Sequence, residues 1–447
     1  MVRRLALPAI LALALAADAA AQDAHYWTYQ YGTRANLLAG AVVGSVVDIS
    51  AAYYNPGALS LIDDPNLIST SKVFELSDLS FRPSNGVDAS LNNLRLDVAP
   101  SFFAGLLPFH FLGNDVLAYS LFTRYLFKAD IDAVRQGNLE EIDQAVQGDF
   151  FSQARFTRDL NETWVGLSYS TPFRQTVGVG LSMFVTYRSQ KGSNLLSFQA
   201  LSDTGETAIT LGEQSYSYWN AGVLLKGGVT FDWLGWSLGM TVTTPRLDVL
   251  GDGKVLINRT EFNPDTIFVA DFQDGLPSTY HSPWSIALGA AYKRAATTIN
   301  VTSEYFARVN QFVVLDPHAF VAQSTGDTIS LEITQQLDDV LNFGLGVQHQ
   351  FKPHLAGYAS FRTDFSAKVP GATSDISLSS WGLYFVTLGA AFRLGTADLT
   401  FGLAYGWGGV DGEQLGDPLD GIGSVAPGSP TAELEYRTLR LIIAFAI

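Results

Sequence analysis

The sequence repeatedly alternates between large apolar residues and small or polar residues, with a period of two. In residues 177–187 the odd positions are Val, Leu, Met or Tyr, and the even positions are Gly, Ser and Thr apart from Phe184. Residues 234–242 repeat the pattern, with Leu, Trp and Met on one face and Gly, Ser and Thr on the other. A period of two that persists over whole segments predicts β-strands whose two faces meet different surroundings.

The character of the two faces favours a membrane barrel over a soluble β-sandwich. The inward positions are often Gly, Ser or Thr, where a sandwich would place charges facing water. Aromatic residues recur near the ends of the segments, as the interfacial girdles of a membrane barrel require. Beyond residue 21 no uninterrupted apolar run reaches the roughly 18 residues of a spanning helix. A chain with 47% hydrophobic and 16% charged residues can then cross a bilayer only as a closed β-barrel.

The N-terminus has the pattern of a secretory signal. Arg3 and Arg4 form a basic start, residues 5–17 are apolar, and residues 19–21 are three alanines at which cleavage would leave Gln22 first. The apolar run is short for a membrane anchor. Cys is absent, so disulfides contribute nothing to the fold of the exported chain.

The alternating segments predict a fourteen-stranded antiparallel barrel. The even number agrees with single-chain bacterial barrels. The predicted strands are 66–82, 97–109, 115–129, 160–172, 175–189, 216–231, 233–247, 282–294, 296–310, 339–352, 354–366, 381–394, 396–408 and 435–447.

The connections between these segments alternate between long and short, as the outer loops and periplasmic turns of such barrels do. Both chain ends then lie on the periplasmic side. One long connection, residues 130–151, has apolar residues at roughly helical spacing and predicts a helix. This helix either packs on the rim or offers an apolar landing surface. Its spaced residues are Ile131, Val134, Ile142, Val146 and Phe150.

Residues 22–65 precede the first strand and are too apolar to remain disordered. Residues 36–52 are small and apolar, which is compatible with short helices, and the Asn55–Pro56–Gly57 sequence ends any helix. A fourteen-stranded barrel has a lumen that needs filling, so we predict that this segment is a partly helical hatch inside the lumen. The predicted organisation is a signal peptide at 1–21, a hatch at 22–65 and a transmembrane barrel at 66–447.

At the hatch the sequence resembles a known family, the long-chain fatty acid transporters of the Gram-negative outer membrane (the FadL/TodX family, which also imports aromatic hydrocarbons). The family hatch has a Gly/Ala-rich run, an Asp, a Ser-Ala pair, and Asn-Pro-Ala followed by Gly or Ala and Leu. Here the run spans residues 40–44, and Asn-Pro-Gly-Ala-Leu stands at 55–59. The resemblance implies a hatch or gate formed by Asp48, Ser50, Tyr53, Tyr54, Asn55, Pro56 and Gly57. The chain departs from the pattern at Gly57, where the family has Ala, and at its final Ile447, where barrel proteins commonly have Phe.

The resemblance also implies a function, the uptake of hydrophobic compounds through a hatch-gated barrel with lateral exit into the membrane. The lumen would then hold apolar residues and cations for a ligand carboxylate. Inward positions carry the candidate ligand residues Phe122, Arg124, Phe184, Arg188, Leu224, Lys226, Lys293, Arg393 and Arg440. Two alternatives stay open for them, namely ion pairs with internal acids such as Asp398 or Asp48 and packing against the hatch.

Other function classes have less support. The net charge of −16 with no basic stripe disfavours a nucleic-acid partner. The sequence has no metal cluster or nucleotide-binding loop, so we expect no metal or cofactor. The six histidines have no Ser and acid beside them in a recognisable order, and we expect no enzyme activity. A general porin or a structural or adhesion barrel remains the alternative. The expected partners are a hydrophobic small molecule, outer-membrane lipid and the barrel assembly machinery, with the protein as a monomer.

Overall fold

The computed structural model describes residues 24–45, 48–62, 68–83, 91–107, 114–141, 146–263, 265–330, 332–369, 381–414 and 431–447. The predicted signal peptide lies outside the described residues. None of the described helices is long and apolar enough to cross a membrane.

The described chain contains twenty strands and three short helices. The helices are α1 (Ala51–Tyr54) and two 3-10 helices, η1 (Pro56–Leu61) and η2 (Leu139–Glu141). The strands are β1 (Ile68–Pro83), β2 (Leu91–Leu107), β3 (Val116–Asn138), β4 (Gly148–Arg174), β5 (Val177–Ser202), β6 (Thr207–Trp233), β7 (Trp236–Thr243), β8 (Leu247–Asn263), β9 (Asp265–Leu276), β10 (Ser285–Arg294), β11 (Thr297–Phe306), β12 (Val309–Leu315), β13 (Phe320–Val321), β14 (Thr328–Ile329), β15 (Ile333–Leu337), β16 (Val340–Lys352), β17 (Leu355–Asp364), β18 (Leu383–Leu394), β19 (Ala397–Gln414) and β20 (Thr431–Ala446).

Fourteen of these strands close into an antiparallel barrel. Strands β1 to β7 pair in sequence, β7 pairs with β10, β10 with β11, β11 with β16, and β16 to β20 again pair in sequence. The barrel closes where β20 pairs with β1, from Ser69 opposite Ala446 to Pro83 opposite Ala432. Each predicted strand overlaps one of these fourteen, so the predicted fold class is confirmed.

The alternation places apolar side chains outside and small ones inside. On β5 the outward Leu181 and Met183 are exposed, while the inward Ser182 and Thr186 are fully buried. Aromatic pairs lie at both ends of the outward apolar band. Tyr187 stacks on Trp219 with ring centroids 6.0 Å apart, and at the opposite end Trp236 lies 4.5 Å from Tyr292. The band therefore has the girdles expected of a membrane surface.

Strands β3 to β6 continue far beyond this band, and here the prediction of loops was wrong. β4 and β6 have 27 residues and β5 has 26, more than twice the roughly 9–11 needed to cross a bilayer. The predicted helix at 130–151 is also wrong. Residues up to Asn138 belong to β3, those from Gly148 belong to β4, and only η2 is helical between them among the described residues.

The physical reason is cross-strand packing. Phe150 of β4 is buried and stacks on Phe198 of β5 with centroids 6.1 Å apart, and β3 pairs with β4 as far as Asn138 opposite Asp149. Aromatic and β-branched residues stabilise the structure more through such cross-strand pairs than they would in an isolated helix. Strands β8 and β9 extend the outer part of β6 in the same way, within another predicted loop.

Candidate functional site

The N-terminal segment runs through the barrel lumen. Every described residue from 24 to 59 is buried except Arg34, which is partly exposed. His25 bridges to Ser366 just beyond the outer end of β17, and the Ser60 amide lies 3.2 Å from the Ser170 hydroxyl near the opposite end of β4. The hatch, defined here as residues 24–62, therefore begins near the outer end of the lumen and runs towards the opposite end, where β1 starts.

Asp48 ties two parts of the hatch together. Its Oδ1 accepts a hydrogen bond from the Ser50 amide at 2.8 Å. Its Oδ2 accepts bonds from the Arg34 amide at 2.9 Å and the Thr33 hydroxyl at 3.1 Å. The predicted gate residue thus has a role within the hatch, where it accepts bonds from two backbone amides and one hydroxyl.

The two tyrosines of α1 have different surroundings. The Tyr54 hydroxyl accepts a bond from the Tyr31 amide at 2.9 Å and donates one to Gln30 at 2.9 Å, so it joins α1 to the earlier hatch. Tyr53 faces the barrel wall, where its ring centroid lies 5.0 Å from that of Phe122.

Asn55 ends α1 and begins η1. Its Oδ1 accepts from the Gly57 amide at 3.2 Å, and its Nδ2 donates to Val43 at 2.9 Å and to Val229 of β6 at 3.1 Å. The expected helix end at Asn55 is confirmed. The chain then continues into η1, where Pro56 takes the first helical position, which suits its fixed φ.

Glycines on the inner wall bring the hatch backbone into direct contact with the strands. A Cβ on Gly57 would lie 2.7 Å from the carbonyl oxygens of both Gly178 and Gly228. Gly239 meets Val43 and Gly289 meets Gly44 in the same way. Gly57, at the position where the family has Ala, therefore fits the close backbone contact with β5 and β6. The glycines at inward positions of the alternating strands mark where the hatch contacts the wall. This sequence signal was not used in the prediction of the hatch.

The barrel wall is incomplete between β2 and β3. β2 pairs with β3 only between Phe102 and Leu107 among the described residues, and its outer part, from residue 91, pairs with β1 alone. β3 carries a bulge between Thr123 and Tyr125, directly beyond the last pair, Phe102 with Phe122. Among the described residues, one edge of β3 therefore has no strand partner from Thr123 outwards.

Two hatch tyrosines occupy this unpaired edge. The Tyr31 hydroxyl donates to the carbonyl oxygen of Thr123 at 3.0 Å. The Tyr29 hydroxyl lies 3.2 Å from the carbonyl oxygen of Leu126 and 3.3 Å from Glu75. Neither residue is predicted by the sequence pattern, because the position of the wall break depends on which strands pair.

Three of the predicted lumen cations are held in ion pairs. Arg188 pairs with Glu162 at 2.8 Å, Arg440 with Glu75 at 3.0 Å, and Arg393 with Asp398 at 3.0 Å. This arrangement is the internal pairing considered as the alternative to ligand binding.

Lys293 lies outside the central lumen. It is exposed and lines a cavity of about 800 Å³ near the short turns, together with Arg34, Lys352 and Arg393. Leu61 and Ile62 of the hatch line the same cavity. This cavity, called the periplasmic vestibule below because the short turns are expected to face the periplasm, is therefore polar and charged, with Asp232 also in its lining.

The remaining predicted residues cluster around Tyr53. Phe122 and Phe184 belong to an aromatic cluster that also includes Trp164, with the Phe122 and Phe184 centroids 5.7 Å apart. Arg124, Lys226 and Leu224 line a small cavity of about 40 Å³ beside this cluster. The cavity, called the central cavity below, is lined by Tyr26, Tyr53, Arg124, Tyr125, Glu162, Trp164, Leu224, Lys226, Thr243, Tyr280, Ser282, Pro283, Ser285, Glu304 and Phe306.

Comparison with known proteins yields structural neighbours only. No family model matches the chain, and no curated protein matches it in sequence. Among solved structures, a FadL homologue of Pseudomonas aeruginosa aligns with a TM-score of 0.61 at 12% identity, covering 95% of this chain and 99% of that one. The toluene transporter TodX of P. putida aligns with a TM-score of 0.60 at 12% identity, covering 93% and 98%. The toluene transporter TbuX of Ralstonia pickettii aligns with a TM-score of 0.54, also at 12% identity, covering 93% and 98%.

The chain has the fold of these transporters. Both chains are covered almost completely, so the likeness includes the hatch as well as the barrel. The fold implied by the sequence resemblance is thereby confirmed.

Proposed function

We propose that the protein is an outer-membrane channel that takes up hydrophobic small molecules and releases them sideways into the membrane between β2 and β3. The single observation that carries this proposal is the unpaired edge of β3, which the hatch covers with the hydroxyls of Tyr29 and Tyr31. A movable hatch can expose such an edge without breaking any strand pair.

The physical chemistry of the ligand favours a lateral route. Each CH₂ group that leaves an apolar environment for water costs about 0.8 kcal/mol. The axial route below the hatch passes through the periplasmic vestibule, which is lined by Arg34, Lys293, Lys352 and Arg393. The gap between β2 and β3 begins instead at Phe102 and Phe122, and we propose that it opens towards lipid.

A feature at the outer tips of β3 to β6 is suited to the entry of a ligand from outside. A groove of about 680 Å³ lies there, and Phe150, Phe151, Leu201 and Ile209 contribute apolar surface to it. We propose that this groove is the landing surface for the ligand. Passage further in requires the hatch to move, because the central cavity holds only about 40 Å³.

The remaining organisation follows from the same proposal. Residues 1–21 would be removed as a signal peptide, residues 22–65 would form the hatch, and residues 66–447 would form the barrel, inserted by the barrel assembly machinery in contact with outer-membrane lipid. The protein would act as a monomer and would carry out no covalent chemistry. A buried hatch across the lumen also makes a general diffusion porin a poorer explanation.

Uptake by whole cells tests the proposal. Cells with and without the protein receive labelled oleate and labelled toluene in parallel, and heat-dependent migration on gels verifies the folded barrel in the outer membrane. We expect faster uptake of at least one compound in the producing cells. Equal rates for both compounds, with the folded barrel present, would contradict the function.

A further inference from the structure

A row of charged and polar side chains crosses the outward face of the barrel at a single height. Strand pairing places its members opposite one another from β3 through β4, β5 and β6 to β8. Three of the five are exposed lysines, although the chain has only eight lysines and a net charge of −16. This lysine row consists of Lys128, Asp159, Lys191, Ser217 and Lys254.

The lysine row lies directly beyond the outer aromatic girdle. Trp219 of that girdle and Ser217 of the row occupy successive outward positions on β6. Two residues of a strand span about 6.6 Å, and the headgroup region on each side of a bilayer is about 5–8 Å deep. The three lysines are therefore level with the lipid headgroups of the outer leaflet.

The positive charge of this row is only partly balanced. Asp159 lies 3.8 Å from Lys128, but the two side chains are 42% and 43% exposed, and exposed pairs of this kind contribute little. Lys191 and Lys254 form no ion pair with a described residue. The other nearby acid is Asp252, two residues before Lys254 on β8. Three lysines against two acids leave a net positive charge at the headgroup level.

The acids further from the membrane reduce this charge little. Arg155 donates two bonds to Asp130, at 2.9 and 2.7 Å, and Gln153 donates one to Asp132 at 3.0 Å. Glu213 lies four residues beyond the row on β6, about 13 Å along the strand. That distance exceeds the screening length of about 8 Å at physiological salt.

Hydroxyl groups surround the central lysine of the row. Ser189 and Ser193 are the outward neighbours of Lys191 on β5, and Ser217 and Ser215 stand opposite Lys191 and Ser193 on β6. All four serines are half-buried. Ammonium groups bind phosphate as point charges, and hydroxyls can both donate to and accept from sugar hydroxyls. The surface therefore matches a group that combines phosphate with sugar.

We propose that the lysine row binds the phosphorylated headgroup of a glycolipid in the outer leaflet. Lys191 and Lys254 contact the phosphate, the serines around Lys191 bond the sugar, and the acyl chains lie along the apolar band below the girdle. The row begins on β3, the strand that borders the gap, so the bound lipid lies beside the proposed exit. The inference goes beyond the proposed function, because it concerns the outside of the barrel and holds whichever compound the channel carries.

Native mass spectrometry of the purified full-length protein in detergent tests the inference. The probe is lipid A, a phosphorylated and acylated glucosamine disaccharide, and phosphatidylglycerol is the phospholipid for comparison. A lysine beside anionic headgroups changes affinity about fivefold. We therefore expect the double variant Lys191→Gln, Lys254→Gln to bind lipid A roughly 30-fold more weakly than the wild type. Lys352→Gln, an exposed lysine at the opposite end of the barrel, is the control and should keep the wild-type affinity.

Two results would overturn the inference. Wild-type affinity for lipid A in the double variant would show that the row does not hold the phosphate. Equal affinity of the wild-type protein for lipid A and phosphatidylglycerol would show that the surface does not select a glycolipid. Neither result bears on transport, which the uptake of oleate and toluene measures separately. Heat-dependent migration of each variant verifies that the barrel has folded.

Discussion

Gly57 is a residue at which the hatch backbone directly contacts the backbone of the barrel wall. Carbonyl oxygens of two different strands, at Gly178 and Gly228, leave no room for a Cβ there. Both partners are backbone atoms of paired strands, so neither can move away easily. A single hydrogen atom as side chain thus allows the hatch backbone to lie directly against the inner face of β5 and β6.

We expect Gly57→Ala to loosen the hatch while the barrel still assembles. Forcing a methyl group into a filled site destabilises the packing by about 1–3 kcal/mol. The measurement is the entry of a small polar dye into cells, which should increase in the variant. Gly227→Ala is the matched control, because a Cβ on Gly227 meets nothing within 4 Å. Equal dye entry in the two variants would contradict this account of Gly57.

The sequence predicted which lumen residues face inward more successfully than it predicted their partners. Arg188, Lys226 and Phe184 were placed on inward positions by alternation alone, and all three are buried. The pairing of Arg188 with Glu162 depends on the register of β4 against β5, where the two residues stand directly opposite. Alternation fixes the face of a residue but leaves its cross-strand neighbour open, so paired and unpaired cations could not be distinguished.

Among the elements, β3 determines where the wall can open. Residues Leu117 to Phe122 pair with β2 as well as β4, whereas from Thr123 outwards β3 pairs only with β4 among the described strands. The break coincides with the bulge at Thr123 and Tyr125, and bulges commonly interrupt pairing next to functional sites. The buried positions of β3 change from even numbers before the bulge, such as Phe122, to odd numbers after it, such as Phe127. Alternation read as one uniform strand does not take this change of phase into account.

We expect the double variant Tyr29→Phe, Tyr31→Phe to expose this edge more often. Each lost hydroxyl removes a hydrogen bond worth about 0.5–1.5 kcal/mol, while the aromatic packing remains. Hydrogen exchange of the hatch amides should accelerate, and uptake of oleate should increase.

Tyr405→Phe serves as the control for this double variant. Tyr405 lies on the outward face of β19 and is 46% exposed, so its hydroxyl has no part in the hatch. Unchanged exchange and uptake in the double variant would mean that the two hydroxyls do not hold the gap closed.

At the scale of the whole molecule, the protein is a barrel whose interior is filled by its own N-terminal segment. The hatch core contains Tyr31, Tyr53 and Leu37 and continues into wall residues such as Phe122 and Phe184. This shared core explains why the sequence could predict a plug. A segment so apolar has to be buried, and the lumen is the place that a barrel offers.

Deletion of residues 22–59 should leave a barrel that assembles and leaks. A fourteen-stranded barrel encloses a lumen wider than its own side chains fill, so the lost hatch opens a path for water. Small polar dyes should enter cells that carry the deletion faster than cells that carry the full chain. Unchanged dye entry, with the shortened barrel present in the membrane, would argue against a plug.

The most direct test of lateral exit is photo-crosslinking of radiolabelled oleate during uptake. A photoreactive residue at Leu126, on the unpaired edge of β3, reports on the gap between β2 and β3. The same residue at Leu403, on the outward face of β19, reports on oleate dissolved in the membrane, and at Thr298 it reports on the periplasmic vestibule. The account predicts strong labelling at Leu126, above the level at Leu403, and little labelling at Thr298. Strong labelling at Thr298, with Leu126 no higher than Leu403, would contradict lateral exit.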